Sequence, residues 1–460
     1  MYVRGHRKDY DDWRDAGNLG WGYLDVLPIF KYSENFRAVG DAGYHGTGGY
    51  LSVENFKLNH SQVDAFIDAN KELGRYEIDY NGRQQLGVSR TQMNILNGRR
   101  DSTGKAFLKT AKNRTNLRIL KNSFVTKILI NRQYNYAHGV QYSRNGKLYK
   151  ARCRKEVIVS AGAINSPQLL MLSGIGPKND LEKMKIQLVK DLPVGQNLQD
   201  HPTYFALHFV TNYTEPIIPL TENVEQYLNG FGRLTVGGNA HAVAFLKLNS
   251  SDASDQPDVE FIMVPSNNVS PYIKNAYNYN DETYNTIWEK VDPRKSFTIF
   301  VILLHPKSRG TVKLKSKSPY IYPAIDHNFL SDSDENDIEF MFQGIEEALK
   351  LLETNAFKRL NATLLHAPLP VCEKHSYLSK SYWYCQLRQL TMSIFHPVGT
   401  CKMGPSSKLG AVVNSMLQVH GVRNLRVADA SVIPIQISGH INAPAIMIGE
   451  KVSKYILQRF

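Results

Sequence analysis

Between residues 203 and 330 the chain carries four apolar runs, HAVAFLKL, VEFIMV, FTIFVILL and GTVKLKS, separated by polar, Asn-rich and Pro-rich loops. No alternation of helix and strand patterns accompanies them. Parallel neighbours need a crossover, usually a helix, between one strand and the next. Its absence predicts an antiparallel sheet here rather than βαβ units.

A second change of period lies earlier. From 116 the segments NLRIL, FVTKILI, HGVQYS, KLYKARC and EVIVSAG read as successive strands. INSPQLLMLSGIG follows as a helix, with Ser166 as the expected N-cap and Pro167 at the first helical position, where its missing N–H costs nothing. Three more helices are expected. SQVDAFIDANKELG (61–74) has Ser61 as N-cap, an apolar face of Val63, Phe66, Ile67 and Leu73, and Gly74 as stop. Residues 332–354 place Ile338, Phe342, Ile345 and Leu349 near one face, and 443–460 close the chain with Pro444 in the first turn. NLRVADASVIP (424–434) reads as a buried strand running into a turn.

At 460 residues, 42% hydrophobic and 21% charged, the chain has ordinary globular composition and suits two or three folding units. No apolar run reaches the roughly 18 residues of a membrane span. The opening MYVRGHRKDYDDW has no apolar stretch of the signal-peptide kind. The net charge of +13 is scattered and forms no basic arm, which speaks against a nucleic-acid partner. The four cysteines make no CxxC pair, so a zinc knot is not expected. Cys372 and Cys385 flank a short loop and can pair in an oxidising compartment. Sequons at Asn59, Asn113, Asn212, Asn249, Asn268 and Asn361 fit a secreted protein.

FHPVGTCKMG (395–404) concentrates a histidine, a threonine and a cysteine. Metal ligation by His396 needs partners at helical or hairpin spacing, and the other histidines are dispersed. Cys401 lacks a cysteine-hydrolase signature and no GxSxG elbow exists, so its thiol reads as packing. The remaining chemical option pairs His396 with SGHINAP (438–444), where His440 and Asn442 precede the last helix. A helix N-terminus carries partial positive charge and free N–H groups, and suits the anionic reduced form of a flavin. Imidazoles beside such a ring can take the hydroxyl proton of an alcohol. From the residues alone, His396 stays open between this role and a packed core imidazole.

Taken in order, these blocks resemble the glucose–methanol–choline (GMC) oxidoreductases, most closely the insect-type, FAD-dependent glucose dehydrogenase-like branch. The resemblance covers nearly the whole chain and rests on MYVRGHRKDYDDW, NGRRDSTGKAFL, EVIVSAGAINSPQLLMLSGIGP, LPVGQNLQDHP, HPKSRGTVKL, FHPVGTCKMG and LRVADASVIP followed by SGHINAPAIMIGEK. It implies a mixed α/β (α+β) fold. A discontinuous FAD-binding domain would take 1–202 and 395–460, with inserted substrate-domain segments near 35–95. A substrate domain, antiparallel sheet plus helices, would take 203–394. It implies an enzyme acting on the CH–OH group of an alcohol or sugar, with hydride passing to the flavin and electrons to a quinone, another acceptor or oxygen. By position, His396 matches the active-site base and His440 the second catalytic position, where many members of this branch carry Asn. Asp429 and Ala430 match residues at the diphosphate–ribityl part of FAD. Val125 matches a backbone contact near the adenine, and Asn442 and Ala443 the start of the helix facing the isoalloxazine. Asp200-His201 is expected to tie the chain down, and His305 to pack beside its proline.

The family opens with a strand, a GxGxxG turn and a helix that hold the FAD diphosphate. GTGGY (46–50) has the wrong spacing for that turn, and Met1 falls inside the first signature. The expectation is therefore a chain lacking the Rossmann opening, which binds FAD poorly and whose full-length parent is an extracellular enzyme. The alternative is a non-catalytic secreted relative that has lost FAD binding.

Overall fold

The computed structural model describes residues 1–248, 254–265 and 271–459; the sequons at Asn249 and Asn268 lie outside the described residues. The antiparallel sheet is present and takes three of the four apolar runs; the fourth, as Thr311–Lys313, pairs instead with Ala324–Asp326, and the helices Pro271–Tyr277 and Asp281–Ile287 lie where only loops were expected. Its central strand, Ser296–Leu303, pairs with Val259–Pro265 on one side and with Pro202–Tyr204 and His208–Val210 on the other. Val259–Pro265 pairs in turn with Ala242–Leu246, and Gly87–Arg90 forms the edge beyond. Thr391–Ser393 pairs with Pro202–Tyr204, so a sheet strand delivers the chain to His396.

Both faces of this sheet are covered. Val259, Phe261 and Met263 pack with helix residues Phe66, Ile338 and Trp383 in one core. Ile262 and Val264 face the other way, toward Val3, Tyr80 and Ile302. Burial on both faces is why the strands read as unbroken apolar runs. Glu260 is the exception. Side chains alternate across a strand, so it shares the face of Ile262 and Val264, and it is fully buried.

A separate core gathers the N-terminal helix Arg7–Asp15, the helix Gly162–Leu172 and the closing helix Asn442–Arg459, with Trp13, Trp21, Leu170 and Met447 at its centre. Here Val157–Val159 and Leu425–Val427 form a parallel pair. Arg426 clamps it: its guanidinium meets the Glu156 carboxylate at 2.6 and 3.2 Å, both side chains buried. A three-stranded meander, Phe124–Asn131, Tyr136–Arg144 and Lys147–Arg152, packs on Gly162–Leu172. NLRIL, expected as a strand, is none: Leu117, Ile119 and Leu120 are exposed, and an extended run without a neighbour to bond has nothing to hold it.

Three helix starts differ from expectation. His60, not Ser61, is the N-cap of Ser61–Glu72. The helix expected from 332 begins at Asn336, whose N–H is taken by the Asp332 carboxylate at 2.6 Å. The third difference matters most. The helix Gly162–Leu172 starts before Ser166 and runs through Pro167. An interior proline leaves the carbonyl four residues earlier, that of Ala163, without its N–H. Thr400 repairs this: its buried hydroxyl donates to the Ala163 carbonyl at 2.6 Å. Thr400→Val keeps the shape and removes the donor. We expect it to cost about 1–3 kcal/mol, the penalty of an unsatisfied buried polar group, read as a lower urea midpoint at unchanged m.

Candidate active site

The segment carrying His396 is braced from several sides. Asp200 accepts the His396 N–H at 2.9 Å and the His201 N–H at 2.8 Å through one oxygen, and the Ser393 hydroxyl at 2.5 Å through the other. Gln436 donates to the His396 carbonyl at 3.0 Å. Phe395, one residue earlier, is held in the left-handed region at φ 64°. Three residues later Gly399 has φ +87°, and a Cβ there would sit 2.4 Å from the Asn197 carbonyl oxygen, so only glycine fits.

His440 is placed by a different set of contacts. Asp9 accepts from the Ser438 N–H and hydroxyl at 2.8 and 2.9 Å, and from the His6 N–H at 2.7 Å. Complete burial raises the Asp9 pKa, opposed by these donors. The next residue, Gly439, lies against Val3, with no room for a Cβ. His440 Nε2 then meets Glu260 Oε1 at 3.0 Å, which fixes a proton on that nitrogen because an ionised carboxylate only accepts.

The structure brings His396 and His440 together, ring centroids 4.5 Å apart and nearly perpendicular. Burial pushes the His396 pKa well below the usual imidazole value, helped by the neighbouring His440 and His201. The ring therefore stays neutral at ordinary pH, as a proton acceptor must.

Asn442 and Ala443 open the closing helix. The Asn442 side chain donates to the Asn94 side chain at 2.8 Å and to the Met1 carbonyl at 3.2 Å. All three residues line a cavity of about 660 Å³. Arg100, Ser102 and Thr103 add polar groups to its wall, and Leu51, Met93 and Ile446 add apolar surface. His396 and His440 are not in that lining; Asn442, which is, lies two residues past His440 in the chain.

The flavin that the resemblance implies fits what is there. The cavity has the size of small-molecule sites. Its wall mixes apolar surface with donors, as a flat ring with polar edges requires. It abuts a helix N-terminus, which favours negative charge. Glu260 Oε2, buried beside His440, has no hydrogen-bond partner among the described residues.

The other expected cofactor residues lie apart from the histidine pair. Asp429 lies two residues past the strand Leu425–Val427. Its carboxylate is committed within the protein, to the Ser431 and Gly162 N–H groups at 2.8 and 3.0 Å and the Ser166 hydroxyl at 2.5 Å. Ala430 begins the turn that Asp429 caps. Val125 sits on the meander, beside a bulge that interrupts the ladder between Val125 and Lys127. Cys372 and Cys385 form the disulfide that their spacing allowed. Cys401 is buried, and burial raises its thiol pKa, as suits packing.

Two site residues were not expected. His201, assigned to tying down the chain, contacts the His396 ring: the two Nδ1 atoms are 2.9 Å apart. Glu260 stood in view as a lone acid in VEFIMV, and an acid inside a fully apolar strand signals a paired, functional carboxylate. Nothing in LPVGQNLQDHP separates His201 from a packed histidine. His305 bonds Ser438 Oγ at 2.9 Å rather than merely packing beside Pro306.

Comparison with known proteins agrees with this arrangement. The family description "GMC oxidoreductase" matches in two parts, its N-terminal model over residues 1–203 and its C-terminal model over 306–449. The N-terminal match runs from residue 1, and the expected lack of a Rossmann opening is not confirmed. A "Glucose dehydrogenase [FAD, quinone]" of Drosophila pseudoobscura pseudoobscura is 39% identical over 464 positions, covering all of this chain and 72% of the relative. An "Alcohol dehydrogenase [acceptor]" of Pseudomonas putida is 34% identical, covering all of this chain and 80% of its own. The crystal structure of pyridoxine 4-oxidase from Mesorbium loti superposes with a TM-score of 0.82 at 25% identity, over 99% of this chain and 82% of that one. Nothing in these likenesses favours the non-catalytic alternative. On these matches and on the fold that carries the paired histidines, the chain belongs to the GMC oxidoreductase family.

Proposed function

We propose that this GMC oxidoreductase oxidises the CH–OH carbon of an alcohol or sugar, with His396 as the base that removes the hydroxyl proton. The carrying observation is the buried, neutral His396 imidazole, on a backbone held by Asp200 and Gln436, with its ring centroid 4.5 Å from that of His440. Bound FAD supplies the acceptor for the hydride that leaves the carbon. His440, anchored by Glu260 at Nε2, orients the substrate hydroxyl. Asn442, Ala443 and the first turn of their helix hold the ring portion of the cofactor. Ala430 and the turn capped by Asp429 serve the diphosphate–ribityl portion, and the backbone at Val125 the adenine end. The names of the relatives support a sugar such as glucose, or a simple alcohol, as substrate and a quinone as electron acceptor.

Residues 1–202 and 395–460 form the cofactor part of this reading and 203–394 the substrate part, with segments near 35–95 joining the latter. The two large cores support that division, since Phe66 and Val88 belong to the core of the sheet. An extracellular setting is supported by the Cys372–Cys385 disulfide, which persists where the environment is oxidising. Among the described residues no helix is long and apolar enough to cross a membrane.

The test is spectroscopic. The protein is incubated with FAD, desalted, and mixed without oxygen with a panel of sugars and alcohols. Retained visible flavin absorbance that is bleached by one of them, and restored by a quinone, is the expected result. A protein that stays colourless, or one that retains flavin no substrate bleaches, overturns the reading.

A further inference from the structure

His201 is fully buried and uses both ring nitrogens. Its Nε2 lies 2.9 Å from the carbonyl oxygen of Ile437, and its Nδ1 lies 2.9 Å from Nδ1 of His396. A backbone carbonyl can only accept, so His201 Nε2 carries a proton. A neutral imidazole has one N–H, which leaves His201 Nδ1 as an acceptor. The hydrogen at the 2.9 Å contact then belongs to His396 Nδ1. His396 Nε2 is left with its lone pair and has no protein partner among the described residues.

We infer that His201 is a positioning residue, and that a chain of fixed tautomers, from the Ile437 carbonyl through His201 to His396, presents the Nε2 lone pair of His396 to the substrate hydroxyl. The inference rests on the reading of His396 as the base and adds how that base is kept in its working form. It needs His201 to be neutral. Burial ensures this, lowering its pKa to about 4 against the opposing charges of Asp200 and Glu260. Were His201 cationic, both of its nitrogens would donate, and His396 Nδ1 would hold the lone pair instead.

The same backbone sets both ends of the chain. Ile437 precedes Ser438, which Asp9 anchors, and Asp200 holds the His201 and His396 N–H groups together. The second catalytic position takes no part in this chain. His440 is fixed separately, by Glu260 at its Nε2. Two neighbouring imidazoles thus receive their proton placement from different partners, one from a carbonyl by way of a second histidine, the other from a carboxylate.

The decisive experiment is nitrogen NMR of the protein labelled with 15N-histidine, at neutral pH, with His396 signals assigned by their loss in His396→Gln. Each ring nitrogen reports directly whether it bears a hydrogen. The expected spectrum shows His396 protonated at Nδ1 and bare at Nε2, and His201 the reverse. A wild-type His396 protonated at Nε2 overturns the inference, with no variant needed.

Two substitutions then separate positioning from packing. Glutamine offers one donor and one acceptor on a planar group, so His201→Gln is expected to preserve the His396 tautomer. Methionine fills similar space but has no N–H, so His201→Met is expected to release it into a mixture. In the FAD-loaded protein His201→Met should lose about 10²-fold or more in kcat with KM little changed, since a base in the wrong tautomer can lose up to about 10⁴-fold. Unchanged kcat and unchanged tautomer in His201→Met would sink the proposal. A His396 bare at Nε2 in a protein whose His396→Ala variant turns over normally would leave the tautomer chain standing and remove the base assignment.

Discussion

In the FAD-loaded protein, His396→Ala is expected to lower kcat for an alcohol or sugar by about 10²–10⁴-fold, the usual contribution of a positioned general base. The loss should appear in kcat and kcat/KM alike, because proton removal is an interaction made in the transition state. The protein should still fold. Among the described residues the imidazole hydrogen-bonds only to His201, while the Asp200 and Gln436 contacts run through the main chain and survive the substitution. Stopped-flow bleaching of the flavin by substrate is the measurement. A rate within about threefold of the wild type would remove His396 from the chemistry.

The second large effect is on stability and comes from acid. Burial holds the pKa of His201 and His305 down at about 4, and of His208 and His241 at about 3. In the unfolded chain all four return to the free value of about 6.5. Between these limits the unfolded state binds protons that the folded state refuses, so stability falls as pH falls below about 6.5. Each histidine then removes about 1.4 kcal/mol per pH unit until its folded pKa is reached. His396 adds to the same trend, its pKa also being depressed by burial. Asp9 acts in the opposite sense: its pKa is raised in the fold, so its protonation on acidification relieves a buried charge. His45 and Glu450, whose pKa values are also raised in the fold, act with Asp9, but the depressed histidines outnumber them and the sign is unchanged. Four such groups account for several kcal/mol near pH 5, a large part of ordinary domain stability of about 5–15 kcal/mol. Urea midpoints at pH 7, 6 and 5, at constant m, should therefore drop steeply. A flat profile over that range would show that these rings have water access in the folded protein.

How much of this was legible in the residues varies by the kind of force involved. The antiparallel sheet was readable because its strands are apolar on both faces, but the helices Pro271–Tyr277 and Asp281–Ile287 between two of those strands were not, in a segment that reads as polar, Asn-rich loop. The meeting of FHPVGTCKMG with SGHINAP was readable only through the family resemblance, since spacing alone left His396 open between base and packing. Local patterns failed where a distant partner decides. Ser166-Pro167 looks like a helix start, but the Thr400 hydroxyl satisfies the freed carbonyl and lets the helix begin earlier. NLRIL has strand-forming residues, but it pairs with no strand among the described residues. His201 resembles any histidine before a proline. Its meaning depends on Ile437 and His396, far along the chain, and no local period records such a contact. Glu260 lay between these extremes: its strand predicted burial, burial demanded a partner, and only the fold names His440 as that partner.

The bond between Thr400 and the Ala163 carbonyl ties the fitness of one position to the history of another. While Pro167 is present, Thr400 is constrained, because its hydroxyl fills a vacancy the proline creates. In a background carrying Pro167→Ala the helix regains its own N–H donor, and valine at 400 should become nearly harmless. The two sites are thus expected to drift as a pair, the earlier change permitting the later one. A double-mutant cycle would show this as a coupling of the same size as the Thr400→Val penalty itself.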